Sequence, residues 1–192
     1  MTFIDLEPAA QRMTDLIRAI PDDLLDTPTP CPAYALGDLL DHVSALTVGL
    51  TAAATKATHP GGSQPRAGDA SRLGGDWRTR IPQELAALTE AWRDPMARRG
   101  MIKAGGIEMP GEAAALVALE ELVIHGWDVA RATGQHYACD ETALEAVVGF
   151  FSLFTQEMRE NAYSAPLAVP DEVPLLDTVV ALSGRDPAWK PS

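Results

Sequence analysis

Among its 192 residues the chain has only two cysteines, Cys31 and Cys139, and no run of Lys or Arg. Nor does any apolar run approach the ~20 residues that cross a bilayer. Two thiols in different contexts, without a C-x-x-C spacing, supply neither a disulfide framework nor a thiolate zinc site; free thiols in a reducing compartment are expected. With 15 basic against 27 acidic residues the net charge is -12, so a polyanionic backbone would be repelled and no nucleic-acid partner is expected. The opening stretch MTFIDLEPAAQRMTDLIRAI carries acidic residues where a signal peptide would carry basic ones. The expectation is a cytoplasmic protein with no membrane partner. Alternating strand patterns, internal repeats and low-complexity tracts are missing as well.

What remains is ordinary globular composition, 46% apolar and 22% charged, at a length suited to one domain. Helical periodicity dominates. A first amphipathic helix is expected over Asp5 to Ile20, with Asp5 as cap and Pro21 ending it; four prolines in PDDLLDTPTPCPAY then favour an extended loop. A second helix is predicted over Leu36 to Ala57, with Leu39, Val43, Leu46 and Leu50 inward, and a polar Gly/Pro/Ser loop follows it. A third spans Trp77 to Trp92, followed by an irregular crossover with a short extended piece at Met101 to Lys103. The fourth covers Gly111 to Ala132, with Gly134 as its C-terminal cap, and the fifth Glu141 to Asn161, capped by Asp140. A short helix from Pro174 to Leu182 precedes the end. The expected architecture is an all-α bundle, residues 1–165, with a C-terminal tail, residues 166–192, that contributes one additional helix.

The stretch ALEELVIHGWDVARATGQ puts Glu121, His125 and Asp128 at steps of four and three, hence on one face of an otherwise apolar helix. A buried carboxylate must be neutralised, paired or bound to a cation. Glu-x-x-x-His aims two ligands at one point, and His42, on the inward face of the second helix, is the candidate third donor. His59 and His136 fall in loops and read as solvated. Position 121 is Glu where the zincin motif needs His, so a peptidase reading fails. Two His and one carboxylate suit zinc by default, or nickel or iron. The bland alternative is an i,i+4 acid–base pair that merely stabilises its helix. Asp38 and Asp128 are candidate acceptors that would fix the imidazole tautomers; equally, Asp38 could only cap its helix and Asp128 only pair with Arg131. Trp127 and Arg131 are candidate contacts to a substrate or thiol, against core packing for the first and an exposed helix end for the second.

Two stretches, TPCPAYALGDLLDHV and EELVIHGWDVARATGQ, resemble signatures of the DinB-like metal-binding superfamily, in its branch related to the N-terminal domain of mycothiol-dependent maleylpyruvate isomerase. The likeness runs from the first helix to LSGRDPAW. It implies a DinB-like four-helix bundle holding a divalent metal by His42, Glu121 and His125, with the thiol mycothiol as a possible cofactor. Tyr34 stands where the family usually has tryptophan. Isomerases of this kind are expected to carry an additional C-terminal domain, whereas here only a short tail follows the fifth helix. The resulting expectation is a thiol-dependent, transferase-like or isomerase-like metalloenzyme acting on a small electrophilic substrate. The rival readings are a metal-binding bundle without catalysis, acting as a sensor or interaction module, and a metal-free bundle with its inner carboxylate neutral or paired. Assembly into a homo-oligomer is left open.

Overall fold

The structure, a computed structural model, describes residues 4–57, 66–154, 164–170 and 172–191. The first helix, α1, spans Glu7–Arg18. Leu6 holds the formal N-cap position, but the Asp5 Oδ1 accepts from the Glu7 N–H at 3.0 Å, so the aspartate still satisfies a free first-turn donor. The chain leaves the helix before Ile20, whose carbonyl accepts instead from the Arg78 guanidinium.

Helix α2 is Leu36–Ala54 and α3 is Trp77–Arg93. The polar segment between them is not wholly the free loop its composition suggests. Its described part includes a short 3-10 turn, Ala70–Arg72, capped by Asp69 and tied to α2 through Arg72 and Asp41. His59 lies outside the described residues.

The extended piece expected at Met101 to Lys103 is present, but it belongs to a hairpin rather than to an irregular crossover. Strand β1, Met101–Ala104, pairs antiparallel with β2, Ile107–Pro110, around Gly105 and Gly106. Both glycines have positive φ, 58° and 82°, as a type I′ two-residue turn requires. Strands of four residues are too short for a visible period-2 pattern, but the Gly-Gly pair between them was a legible turn signal.

Helix α4 is Gly111–Ala132, bracketed by Pro110 at its N-cap and by Gly134 at φ 68° just beyond its end. Helix α5, Glu141–Ser152, starts at Asp140, whose side chain accepts from Thr142 N. It ends earlier than expected: the Leu153 and Phe154 N–H groups bond back to Phe150 and Phe151 in a tightened last turn. The expected continuation over 155–161 lies outside the described residues. Helix α6 is Leu175–Leu182. No helix among the described residues is long and apolar enough to cross a membrane.

The long helices α1 to α4 form the bundle. α4 packs against α1, α2 and α5, α3 closes against α1 and α2, and α6 lies on α5. Leu16 and Ile17 of α1, Leu39 and Val43 of α2, and Ala118 and Leu119 of α4 meet in one core. Each large aliphatic side chain buried this way stabilises the fold by about 1.5–3 kcal/mol. Surrounded on most sides, α4 is apolar nearly all round, which makes its few buried polar residues conspicuous.

Candidate metal centre

α2 and α4 cross so that His42 faces Glu121 and His125. One ligand atom from each of the three lies within 4.8 Å of the other two. The His42 and His125 ring centroids are 5.1 Å apart at 88°, and the Tyr34 ring lies 5.0 Å from that of His42, tilted by 37°. Along α4, the i,i+4 spacing brings Glu121 Oε2 to 3.1 Å from His125 Nε2. Glu121 and His125 also border a cavity of about 10 Å³ with apolar walls that include Val43 and Leu88, room for about one water-sized sphere. A much larger cavity of about 840 Å³, between α1 and the start of α5, contains none of the three residues.

Behind His125 the site is built of charge. Its Nδ1 lies 2.9 Å from Asp128 Oδ2, and Asp128 is fully buried. Arg185, beyond α6, grips the same carboxylate: Nε reaches both oxygens, at 2.9 and 3.1 Å, and Nη2 reaches Oδ2 at 2.9 Å. Asp128 is therefore not the local partner of Arg131. Arg131 donates instead to the carbonyls of Pro187 and Trp189 and lies 5.6 Å over the Trp127 ring. Trp127 is buried, and neither it nor Arg131 belongs to the ligand cluster.

His42 is held differently. Asp38 does not reach it: its oxygens accept from Ala35 N at 3.3 Å and Ala70 N at 2.8 Å, capping α2 and fastening the following turn. Asp41, buried, accepts from Arg72 Nη2 at 2.7 Å and Asp69 N at 3.1 Å. These bonds press the loop onto α2. A Cβ on Gly68 would lie 2.1 Å from the Asp38 carbonyl oxygen and 3.1 Å from the His42 Cβ, so only glycine permits this approach. The His42 Nδ1 is buried and makes no hydrogen bond of good geometry; the Arg66 backbone nearby favours its protonation only weakly against the other influences.

The electrostatics separate the two imidazoles. Burial, helped by the neighbouring His125, lowers the pKa of His42 below the ordinary histidine value, so the ring is neutral at pH 7. Burial pushes His125 the same way, but the hydrogen bonds and charges of Asp128 and Glu121 overcome it and raise its pKa to about 9. Burial opposes ionisation of both carboxylates. His125 nevertheless holds Glu121 and Asp128 low, with Arg185 contributing to each. About a quarter of the Glu121 side chain (24%) stays accessible, which tempers its desolvation. Cys31 lies near enough to feel Arg185, Asp128 and Glu121. Burial still raises its thiol pKa, and both cysteines are free.

Arg185 and the Asp41–Arg72 clamp were not picked out from the sequence. A cation directly after Gly184, at the end of the apolar stretch VVALSG, was the available signal for Arg185.

A family model described as the mycothiol maleylpyruvate isomerase N-terminal domain matches residues 6–130, which include His42, Glu121 and His125. Two solved structures share the fold. A crystal structure of mycothiol-dependent maleylpyruvate isomerase aligns with a TM-score of 0.69 at 17% identity, over 97% of this chain and 89% of that one. A histidine-to-alanine mutant of such an isomerase aligns with a TM-score of 0.63 at 18% identity, over 87% and 73%. The first alignment leaves about a tenth of the solved isomerase chain unmatched and the second about a quarter. Among curated proteins, none matches by sequence.

Proposed function

Because the chain belongs to the mycothiol maleylpyruvate isomerase N-terminal domain family, we propose that it binds a divalent metal ion through His42, Glu121 and His125 and uses a low-molecular-weight thiol, mycothiol, in transferase-like or isomerase-like chemistry on small electrophiles. The observation that carries this reading is the convergence of two imidazoles and a carboxylate from α2 and α4 within 4.8 Å. The donors fit such an ion. His42 is neutral, the state a metal ligand needs, and its buried Nδ1 makes no hydrogen bond of good geometry. Nitrogen and oxygen donors suit zinc first, with nickel or iron as alternatives.

When bound, a divalent ion supplies Lewis acidity, lowering the pKa of a thiol placed against it. The chain's own residues do the rest. The Asp128 carboxylate accepts a hydrogen bond from the His125 Nδ1–H and so leaves Nε2 directed toward Glu121. Glu121 keeps an accessible edge, and the Tyr34 ring packs against that of His42. Neither Cys31 nor Cys139 is in the cluster, and burial raises both thiol pKa values, which supports a thiolate supplied from outside the chain. With a divalent ion in place of the His125 proton, the group formed with Glu121, Asp128 and Arg185 carries surplus positive charge, which favours an anionic ligand such as a thiolate.

A purely structural metal site would call for a fourth protein ligand, and among the described residues no other His, Cys, Asp or Glu joins the three. A metal-free bundle requires Glu121 to be paired, and His125 does pair with it; metal content is therefore the first thing to measure. Elemental analysis of protein purified without an affinity tag should find one ion per chain, and none in the triple alanine variant of His42, Glu121 and His125. The loaded protein, incubated with mycothiol and a panel of electrophiles, should then exceed the uncatalysed rate. No ion in the first experiment refutes the site, and no rate in the second refutes the chemistry.

A further inference from the structure

We propose that the C-terminal segment is a working part of the metal centre, with Arg185 a positioning residue that fixes His125 through Asp128. This rests on the metal reading above and extends it to a region beyond residue 130, where the family match ends. Asp128 is fully buried and offers His125 Nδ1 one oxygen at 2.9 Å. With that partner alone the carboxylate could rotate about its Cβ–Cγ bond and carry the imidazole plane with it. The Arg185 fork prevents this, because three N–H···O contacts from a planar guanidinium lock the carboxylate plane.

The backbone is shaped to deliver that fork. After α6 the chain turns through Gly184 at φ 82°, with Gly184 N bonded to Ala181 O and Arg185 N to Val180 O. A Cβ at position 184 would lie 2.5 Å from the Ser164 Cβ, so space as well as φ demands glycine. Past the turn, Arg131 in the last turn of α4 holds the carbonyls of Pro187 and Trp189. The segment is thus clamped to α4 at two points, one of them a single side chain away from His125. Whatever orders His125 then favours docking of the segment, and docking favours the ordered His125, as reciprocal linkage requires.

The test uses Zn²⁺ and Co²⁺ as probes on the full chain and on Arg185→Ala and Arg185→Lys. Chelator competition should show Zn²⁺ affinity falling about 10- to 100-fold in Arg185→Ala. Arg185→Lys should recover part of it, since an ammonium restores the charge but not the fork. The visible absorption of the Co²⁺ protein should change in both variants, and Zn²⁺ should slow amide exchange over 183–189 in the wild type only. If Arg185→Ala does not fold, Arg185→Lys decides through its spectrum and exchange. Wild-type Zn²⁺ affinity, an unchanged Co²⁺ spectrum and unchanged exchange in the variants overturn this role for Arg185 and leave the metal site standing. Failure of the wild type to take up Zn²⁺ overturns both.

Discussion

Metal and proton should compete for one atom, the Nε2 of His125, and pH is the perturbation that exposes it. In the metal-free protein this imidazole has its pKa raised from 6.5 to about 9 by Asp128 and Glu121, so at pH 7 only roughly one molecule in a hundred has it neutral. An ion must displace that proton. Apparent Zn²⁺ affinity should therefore rise about tenfold per pH unit from pH 7 toward 9, with about one proton released per ion. His42, lowered below 6.5, is already neutral across this window and steepens the dependence only in more acid solution. The same shift makes a stability statement. A histidine whose folded pKa is raised stabilises the fold fully below its unfolded pKa and loses that contribution as pH climbs through the folded one. For 6.5 against about 9 the contribution is about 3 kcal/mol, present below pH 6.5 and lost toward pH 9. The metal-free melting temperature should accordingly fall over that range, while the Zn²⁺-loaded protein should not show this decline. Calorimetric titrations in buffers of different ionisation enthalpy count the proton, and chelator competition from pH 6.5 to 8.5 gives the slope. Binding with no proton released and no pH slope would refute the reasoning.

Replacing His125 with alanine should abolish stoichiometric metal binding; full occupancy in that variant, by elemental analysis, would remove the proposed ligand set. Asp128→Asn should leave Arg185 buried without its counter-charge, costing about 3–5 kcal/mol in denaturant unfolding, and should weaken Zn²⁺ binding about 10- to 100-fold. A variant as stable as the wild type would show that the ion pair is not what it looks like. Gly68→Ala would force a Cβ to within 2.1 Å of the Asp38 carbonyl. It should cost about 1–3 kcal/mol as the loop lifts from α2, with weaker Zn²⁺ binding as His42 loses its cover; an unchanged melting curve would mean the loop does not sit there.

Much of this protein is written in short-range rules. The limits of α4 follow from Pro110 and Gly134, and the shared face of Glu121, His125 and Asp128 follows from 3.6 residues per turn. The apolar stripe of α2 likewise marks His42 as inward-facing. Each of these depends only on residues a turn or two apart along the chain. The partners do not. Asp128 had Arg131 within reach by helical spacing, yet the chain brings in Arg185 from 57 positions away and turns Arg131 to the tail carbonyls. Asp38 sat one turn from His42 and serves instead as a cap, because the loop carrying Gly68 and Ala70 folds back onto it. Which side chains meet across helices is decided by how α2 and α4 cross and where α6 releases the chain. Those depend on the packing of the whole core, a property that no local periodicity carries.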